Sequence, residues 1–150
     1  MPKTRFLVLF LFAFIDRVTK WYILHHPNLY LGDFIELKLF KNEKLFFLSF
    51  GQYTNLIISL ISIFVLFFLV LWFLKAVKQK KFFLVFSLFL IIVAGLSNFF
   101  DRLYYGFVID FIWLKILPAS IFNIADVIII GGIICLILAL SVSDADNTNP

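Results

Sequence analysis

Four apolar segments separated by more polar stretches dominate the pattern of the chain. Each is about 20 residues long, which is the length that an α-helix needs to cross the hydrocarbon core of a bilayer. They cover residues 6–24, 55–74, 82–104 and 121–142. The pattern predicts an all-α membrane protein of a single domain, in which four transmembrane helices are joined by outer loops at 25–54 and 105–120.

The first outer loop contains a short alternation of apolar and polar residues. Residues 35–39 read Ile-Glu-Leu-Lys-Leu, which is the period of a half-buried strand. We expect a small extended or β element here, with its apolar face on the bilayer or over the bundle. The alternative is an interfacial loop in which the alternation is accidental. The polar end of the chain, 143–150, is expected to be disordered.

Composition agrees with a membrane protein surrounded by lipid. Hydrophobic residues make up 63% of the chain and charged residues 15%, whereas soluble domains are roughly 45–50% apolar and about 25% charged. The mean hydropathy is +1.07. With four crossings, a chain of 150 residues has no room for a separate soluble domain.

The net charge of +4 does not indicate nucleic-acid binding. The basic residues cluster at the ends of apolar segments and form no stripe with interleaved aromatic residues. Short basic segments beside membrane helices are retained in the cytoplasm. These residues are Lys3, Arg5, Lys75, Lys78, Lys80 and Lys81. Both termini are therefore predicted to be cytoplasmic, and both long loops to face outward.

The start of the chain imitates a secretory signal peptide, because two basic residues precede an apolar run. No small-residue cleavage site follows that run. Instead, Asp16, Arg17 and Lys20 occupy the region where cleavage would occur. We therefore interpret this segment as a retained membrane helix.

Two aspartates stand in apolar surroundings, Asp110 in Val-Ile-Asp-Phe and Asp126 at the end of Phe-Asn-Ile-Ala-Asp. A charge near hydrocarbon costs at least a few kcal/mol, so such a residue is by default a hypothesis about function. The third segment runs outward and the fourth re-enters the membrane. Both carboxylates are therefore expected at the outer membrane face.

Two neighbouring carboxylates do not both ionise easily and tend to hold one proton between them. The ionised member can take a proton from water, while the protonated member polarises an amide carbonyl and later helps to protonate the leaving amine. This chemistry is peptide hydrolysis without a metal or a covalent intermediate. The residues alone leave two alternatives open, a proton or cation path and a structural polar network.

Further polar residues are expected near this pair. Asn98, Asp101 and Arg102 share a face if the third helix continues outward. Asp16 and Lys20 are spaced i, i+4 and are expected to form an ion pair. That pair either anchors the outer half of the first helix or braces the site.

Other catalytic chemistry has little support in the sequence. Cys135 is the only cysteine, so no intrachain disulfide or cysteine cluster is possible. His25 and His26 are adjacent and form a poor metal pair, since neighbouring side chains in an extended loop point apart. Neither HExxH nor a serine nucleophile elbow occurs. We expect no metal and no cofactor.

Four blocks of the chain resemble the lipoprotein signal peptidases, also called signal peptidase II. The third and fourth blocks are specific, the first is moderately so and the second is weak. They are Asp16-Arg-Val-Thr-Lys20, Asn42 with Phe47, Asn98-x-x-Asp101-Arg102 continuing to Asp110-Phe111, and Phe122-Asn123-x-Ala125-Asp126.

The resemblance implies an aspartyl endopeptidase with four helices in the bacterial inner membrane and an active site at the outer face. Such an enzyme removes the signal peptide from a prolipoprotein just before the diacylglyceryl-modified cysteine. On this resemblance Asp110 and Asp126 are the catalytic dyad. The remaining matching positions support the dyad or contact the substrate; they are Asp16, Lys20, Asn42, Asn98, Arg102 and Asn123. We expect a monomer, and a non-catalytic binder of lipidated precursors is a further alternative.

Three residues depart from the pattern of that family. Lys44 and Phe46 occupy positions where glycine and alanine are expected after the asparagine of the first loop. Ser97 stands where glycine is usual before the asparagine of the third block. These departures bear on loop conformation and substrate fit, but both dyad positions are intact.

Overall fold

The computed structural model describes residues 3–30, 32–43, 51–116 and 120–148, with the backbone alone at 3–10, 28–30 and 142–148. Lys44, Phe46 and Phe47 lie outside the described residues. The helices are α1 (Lys3–His25), α2 (Thr54–Lys78), α3 (Phe82–Tyr105) and α4 (Ile124–Thr148). The strands are β1 (Asn28–Tyr30), β2 (Ile35–Asn42), β3 (Val108–Leu114) and β4 (Ile121–Phe122).

The helices confirm an all-α membrane fold with a small sheet. Within the described ranges, three helical stretches are long and apolar enough to cross a membrane, namely Gly51–Lys78, Phe82–Tyr105 and Ile124–Ser141. The crossing expected over α1 stays a prediction. With α1 included, the chain would cross the membrane four times and end on the side where it starts.

Helix α3 is the centre of the bundle, since it packs against α1, α2 and α4. It carries most of the buried positions of the helices, including Leu88 and Ala94. By contrast, α2 turns large apolar side chains such as Phe64 and Phe68 outward, where a bilayer would cover them. The core therefore lies along α3, and the C-terminal end of this helix leads directly into the sheet.

Helices α3 and α4 approach closely at Gly132. A Cβ atom there would lie 2.7 Å from Ile91 Cγ1 and 3.3 Å from the Ile91 backbone nitrogen. Because the backbone cannot yield cheaply, we expect Gly132→Ala to destabilise the bundle by about 1–3 kcal/mol. Gly131→Ala is the matched control, since a Cβ there meets nothing within 4 Å. Thermal unfolding in detergent compares the two, and equal midpoints would contradict the close approach.

The strands form one antiparallel sheet in the order β1-β2-β3-β4. The extended element expected from the alternation at 35–39 is confirmed in β2, so the alternative of an accidental pattern is wrong. The prediction of a loop over 105–120 is corrected, because this region contains strand β3. A turn follows β3 at residues 115 and 116. The first four residues of β3 are all buried, which explains why its sequence shows no alternation.

Two further bounds differ from the sequence prediction. Helix α4 begins at Ile124 rather than near 121, because Ile121 and Phe122 pair with β3. The same helix continues to Thr148, so residues 143–148 are helical where disorder was expected. No glycine or proline interrupts those six residues, and the preceding turns already supply the helical nucleus.

Candidate active site

Asp110 and Asp126 are brought to the same end of the bundle. Gly106, with a φ of +81°, ends α3 in the left-handed region that suits glycine. The chain then runs directly into β3, where Asp110 is the third residue and only 2% exposed. Asp126 lies in the first turn of α4. The sequence argument from chain direction therefore agrees with where the structure places the two carboxylates.

Asn123 joins the two carboxylates. Its side-chain amide donates to Asp110 Oδ1 at 2.7 Å, and its backbone N–H donates to Asp126 Oδ2 at 3.0 Å. The backbone N–H of Asp126 in turn donates to Asn123 Oδ1 at 2.9 Å. This reciprocal pair is a capping box that starts α4. The described contacts connect the carboxylates through Asn123 and include no direct hydrogen bond between them.

Two more asparagines hold the remaining carboxylate oxygens. Asn42 Nδ2 donates to Asp110 Oδ2 at 2.8 Å, and Asn98 Nδ2 donates to Asp126 Oδ1 at 2.8 Å. The Asn98 carbonyl accepts hydrogen bonds from Lys20 Nζ at 2.8 Å and Asn123 Nδ2 at 3.1 Å. Since both donors bind the carbonyl, the amide nitrogen of Asn98 must point at Asp126. All four carboxylate oxygens are thus oriented by amide donors.

A buried ion cluster lies behind Asn98. Lys20, 1% exposed, contacts Asp16 Oδ2 at 3.1 Å and Asp101 Oδ2 at 2.8 Å. Arg17 contacts Asp101 Oδ1 at 2.8 Å. The expected Asp16–Lys20 ion pair is present. Because Lys20 also contacts Asn98, which donates to Asp126, the pair is better interpreted as supporting the site than as only anchoring the first helix.

Asp101 and Arg17 belong to this cluster, but neither was assigned a role at the site from the sequence, although Asp101 was expected nearby. Asp101 Oδ2 also accepts the backbone N–H of Ile109 at 3.3 Å, immediately before Asp110. The sequence did place Asp101 on one face with Asn98 and Arg102, which was the available signal. Its ionic partners lie on α1, and no local pattern indicates which helices meet there.

Arg102 is buried near the C-terminal end of α3, where the charges of Asp110, Asp101 and Asp126 all act on its guanidinium. Its backbone carbonyl accepts the Gly106 N–H at 3.1 Å and the Asn55 side-chain amide at 3.1 Å. The backbone at Arg102 therefore belongs to the cap that aims β3. Its guanidinium is the cation that α3 contributes beside the carboxylate pair.

Burial, together with the nearby negative charge of Asp126, raises the pKa of Asp110 to about 7, although the hydrogen bonds from Asn42 and Asn123 and the charge of Lys20 act to lower it. A carboxyl group of this kind still holds a proton near neutral pH. It can therefore donate a hydrogen bond or a proton, which an ordinary surface aspartate cannot do. That property suits a general acid.

The histidines lie away from this site. The ring nitrogens Nδ1 of His25 and His26 contact the carbonyls of Trp21 and Tyr22 at 2.8 and 3.2 Å. In the part of the chain that the structure describes, no group of three or more His, Cys, Asp or Glu side chains is placed to hold a metal. Cys135 is a half-buried free thiol on α4.

Fold and site together define a multi-pass membrane protein with a buried carboxylate pair at one end of its bundle. The family model of signal peptidase (SPase) II matches residues 8–142. The chain therefore belongs to the signal peptidase II family and is a membrane protease.

Individual proteins show the same relationship. The chain is 34% identical over 131 residues to the lipoprotein signal peptidase of Streptococcus agalactiae serotype Ia, covering 84% of each chain. It is 33% identical over 151 residues to that of Lactococcus lactis subsp. lactis, covering 93% and 95%. A bacterial membrane enzyme solved by the in meso method at 2.3 Å superposes with a TM-score of 0.82 at 28% identity, covering 99% of this chain and 93% of that one. A second, solved at 1.9 Å, gives 0.77 at 30% identity over 93% and 94%.

Proposed function

We propose that this chain is an aspartyl endopeptidase that removes the signal peptide from diacylglyceryl-modified prolipoproteins, cleaving before the lipidated cysteine. The observation that carries the proposal is the pair Asp110 and Asp126, buried together at one end of a membrane bundle with every oxygen held by an amide. The substrate class follows from the relatives, which are named lipoprotein signal peptidases.

Within the dyad, we assign the proton to Asp110 and the negative charge to Asp126. Asp126 lies in the first turn of α4, where the helix dipole and the Asn123 backbone N–H stabilise an anion. Asp110 lies on a strand without such a dipole, and its pKa is raised to about 7 by burial. The two environments separate the roles of two chemically identical side chains.

Hydrolysis then needs only the dyad and water. Asp126 takes a proton from a water molecule as the water oxygen attacks the scissile carbonyl carbon, while Asp110 gives its proton to the carbonyl oxygen. When the C–N bond of the tetrahedral intermediate breaks, the proton held by Asp126 passes to the leaving amine and a hydroxyl proton of the intermediate returns to Asp110. The products are a carboxylate on the signal peptide and a new amino terminus on the lipidated cysteine.

The neighbouring residues support this chemistry. Asn42, Asn98 and Asn123 fix the carboxylate oxygens and so reduce the reorganisation needed at the moment of reaction. The ion pair of Asp16 and Lys20 fixes Asn98 in turn. We propose that Arg102, whose charge acts on both aspartates, contacts a carbonyl oxygen of the bound peptide.

We place the site at the outer face of the bacterial inner membrane, with both termini in the cytoplasm. The support is the position of the basic residues: Lys75, Lys78 and the lysines that precede α3 lie at the opposite end of the bundle from the sheet. The lipid-modified substrate then reaches the dyad within the bilayer. We propose that the enzyme acts as a monomer.

The distribution of charge argues against the alternative of a proton or cation path. No Asp, Glu, Lys, Arg or His occurs in α3 between Phe82 and Phe100, or in α4 between Val127 and Ser143, whereas a path needs polar groups along its length. Asp110 and Asp126 lie together at one end of the bundle.

A cleavage assay tests the proposal. Purified protein in detergent or nanodiscs is incubated with a diacylglyceryl-modified precursor peptide or with the same peptide without the lipid. Mass spectrometry of the products identifies the cleavage site. We expect cleavage before the lipidated cysteine and none of the unmodified peptide. Binding without cleavage would instead indicate the non-catalytic binder, for which the departures at Lys44 and Phe46 provide a rationale.

The rate of cleavage is expected to fall as the pH rises through about 7. The reason is that Asp110, whose pKa is raised to about 7 by burial, acts as the acid and loses its proton there. Below this pH the proton is present, so this group causes no loss of rate on the acidic side. The check is kcat/KM from pH 5 to 9, which reports the ionisation of the free enzyme, with kcat measured in parallel for the enzyme–substrate complex. A kcat/KM that rises from pH 7 to 9 would contradict the assignment of the proton.

A further inference from the structure

The carboxylate of Asp16 is fully buried, and its two oxygens hold different parts of the molecule. Oδ1 accepts the backbone N–H of Ala125 at 3.0 Å. Oδ2 accepts the hydroxyl of Ser97, and Lys20 and Arg17 contact the same oxygen at 3.1 and 3.4 Å. Asp16 therefore connects the first turn of α4 to a serine of α3.

Asp126 is consequently held by two consecutive residues of α3. Asn98 donates directly to its side chain. Ser97 acts through Asp16 on Ala125, the residue just before Asp126. The first connection fixes the carboxylate, and the second fixes the backbone that carries it.

Ser97 differs from Lys20 and Arg17, the other residues that contact Asp16 Oδ2. Its side chain is short and uncharged, and it lies on the helix that also carries Asn98. Lys20 and Arg17 both divide their contacts between Asp16 and Asp101. When the hydroxyl is removed, the two cations alone determine where the carboxylate points. Charge-assisted hydrogen bonds of this kind are short and directional, so their loss changes geometry as well as energy.

A small cavity beside these side chains gives the carboxylate room to move. Its lining includes Asp16, Ser97, Ala13, Ala94 and Ala125. A void removes packing contacts from part of the surroundings of Asp16, so the hydroxyl of Ser97 matters more for its position. A threonine at position 97 keeps that hydroxyl and adds one methyl group.

We propose that Ser97 is a positioning residue for Asp126: through Asp16 it holds the first turn of α4 at the distance from Asp110 that turnover requires. The inference rests on the proposed function of the dyad. Because Ser97 touches neither carboxylate of the dyad, it affects kcat and leaves KM nearly unchanged.

The test compares Ser97→Ala and Ser97→Thr with the control Ser87→Ala. Ser87 is also a buried serine of α3, but its hydroxyl donates to the Phe83 carbonyl of its own helix at 2.9 Å. We expect Ser97→Ala to lower kcat about tenfold or more, since small displacements at a reacting group are costly, with KM changed less than about twofold. Ser97→Thr restores most of kcat, and Ser87→Ala has no such effect.

Amide hydrogen exchange gives a readout that does not depend on cleavage. Ser97→Ala should speed exchange in the first turn of α4, at Ala125 and Asp126, while Ser87→Ala should not. The proposal is overturned if exchange in the first turn of α4 is unchanged in Ser97→Ala and one of two kinetic results accompanies it. Either Ser97→Ala cleaves with the wild-type kcat, or Ser97→Thr is as slow as Ser97→Ala. An inactive wild type whose α4 exchange still responds to Ser97→Ala would refute the proposed hydrolysis and retain the connection through Asp16.

Discussion

Asp126→Asn and Asp110→Asn each lower the cleavage rate of a lipidated precursor by about a thousandfold or more, because each removes one proton-transfer group from the reaction. The asparagine at 126 cannot accept the proton of water. The asparagine at 110 retains N–H groups but cannot pass a proton to the substrate. The measurement is kcat with the diacylglyceryl peptide, accompanied by a binding assay for the same peptide.

The fold is expected to survive both substitutions, although neither is neutral. At Asp110, both oxygens accept amide donors from Asn42 and Asn123, so the new NH₂ group faces a donor. Asn42 relieves this conflict by turning its amide, whereas Asn123 is fixed by the capping box. The Asp110→Asn protein should therefore unfold at a moderately lower temperature and still bind the precursor.

The exposed Asp33, in the turn before β2, supplies the matched control, and Asp33→Asn should cleave at the wild-type rate. Full activity in either dyad variant would end the case for an aspartyl mechanism. Loss of activity in the dyad variants together with unchanged precursor binding separates a role in chemistry from one in substrate affinity.

The location of the dyad could be predicted from the sequence because it depends on few facts. Segment length predicts the helices. Because the chain direction alternates, the C-terminal end of the third segment and the start of the fourth are expected at the same membrane face. Asn123 and Asp126 lie three residues apart, which is the spacing of a capping box. These are local or topological properties, so they are visible without a structure.

The strand that carries Asp110 could not be predicted in the same way. Its first residues are buried on both faces, so no period of two appears. The irregularity between Leu37 and Phe40 places Asn42 opposite Val108 and within reach of Asp110. A pattern of alternating residues does not indicate such a shift in register, so Asn42 was found only through a weak resemblance.

The ion cluster was missed in part for a different reason. Asp101 pairs with Lys20 and Arg17 on a helix about 80 residues away in sequence, a separation that follows from the positions themselves. Helical periodicity indicates which residues share a face but not which helix that face meets. The contact of Ser97 with Asp16 is hidden in the same way, since the sequence shows only that a serine stands next to Asn98.

Lys20→Met is expected to destabilise the protein by about 3–5 kcal/mol, because breaking a buried ion pair leaves uncompensated charge behind. Among the described ion pairs, Asp16 and Asp101 would keep Arg17 as their one cationic partner, and its side chain is itself 31% exposed. Chemical unfolding in detergent micelles measures the change. Lys115→Met is the control: Lys115 pairs with Glu36 at 3.6 Å with both side chains about a quarter exposed, and exposed pairs contribute at most about 1 kcal/mol.

The same substitution should also lower kcat, because Lys20 holds the Asn98 carbonyl and thereby the direction of its NH₂ group toward Asp126. The double variant Lys20→Met/Asp101→Asn removes one of the stranded carboxylates, so it should recover part of the lost stability, with a coupling of about 1 kcal/mol or more. It should not recover kcat, since Asn98 still lacks its cation. Equal recovery of stability and kcat would mean that Lys20 acts on the dyad only by keeping the bundle folded. Recovery of stability alone would identify the contact between Lys20 and Asn98 as the one that matters for turnover.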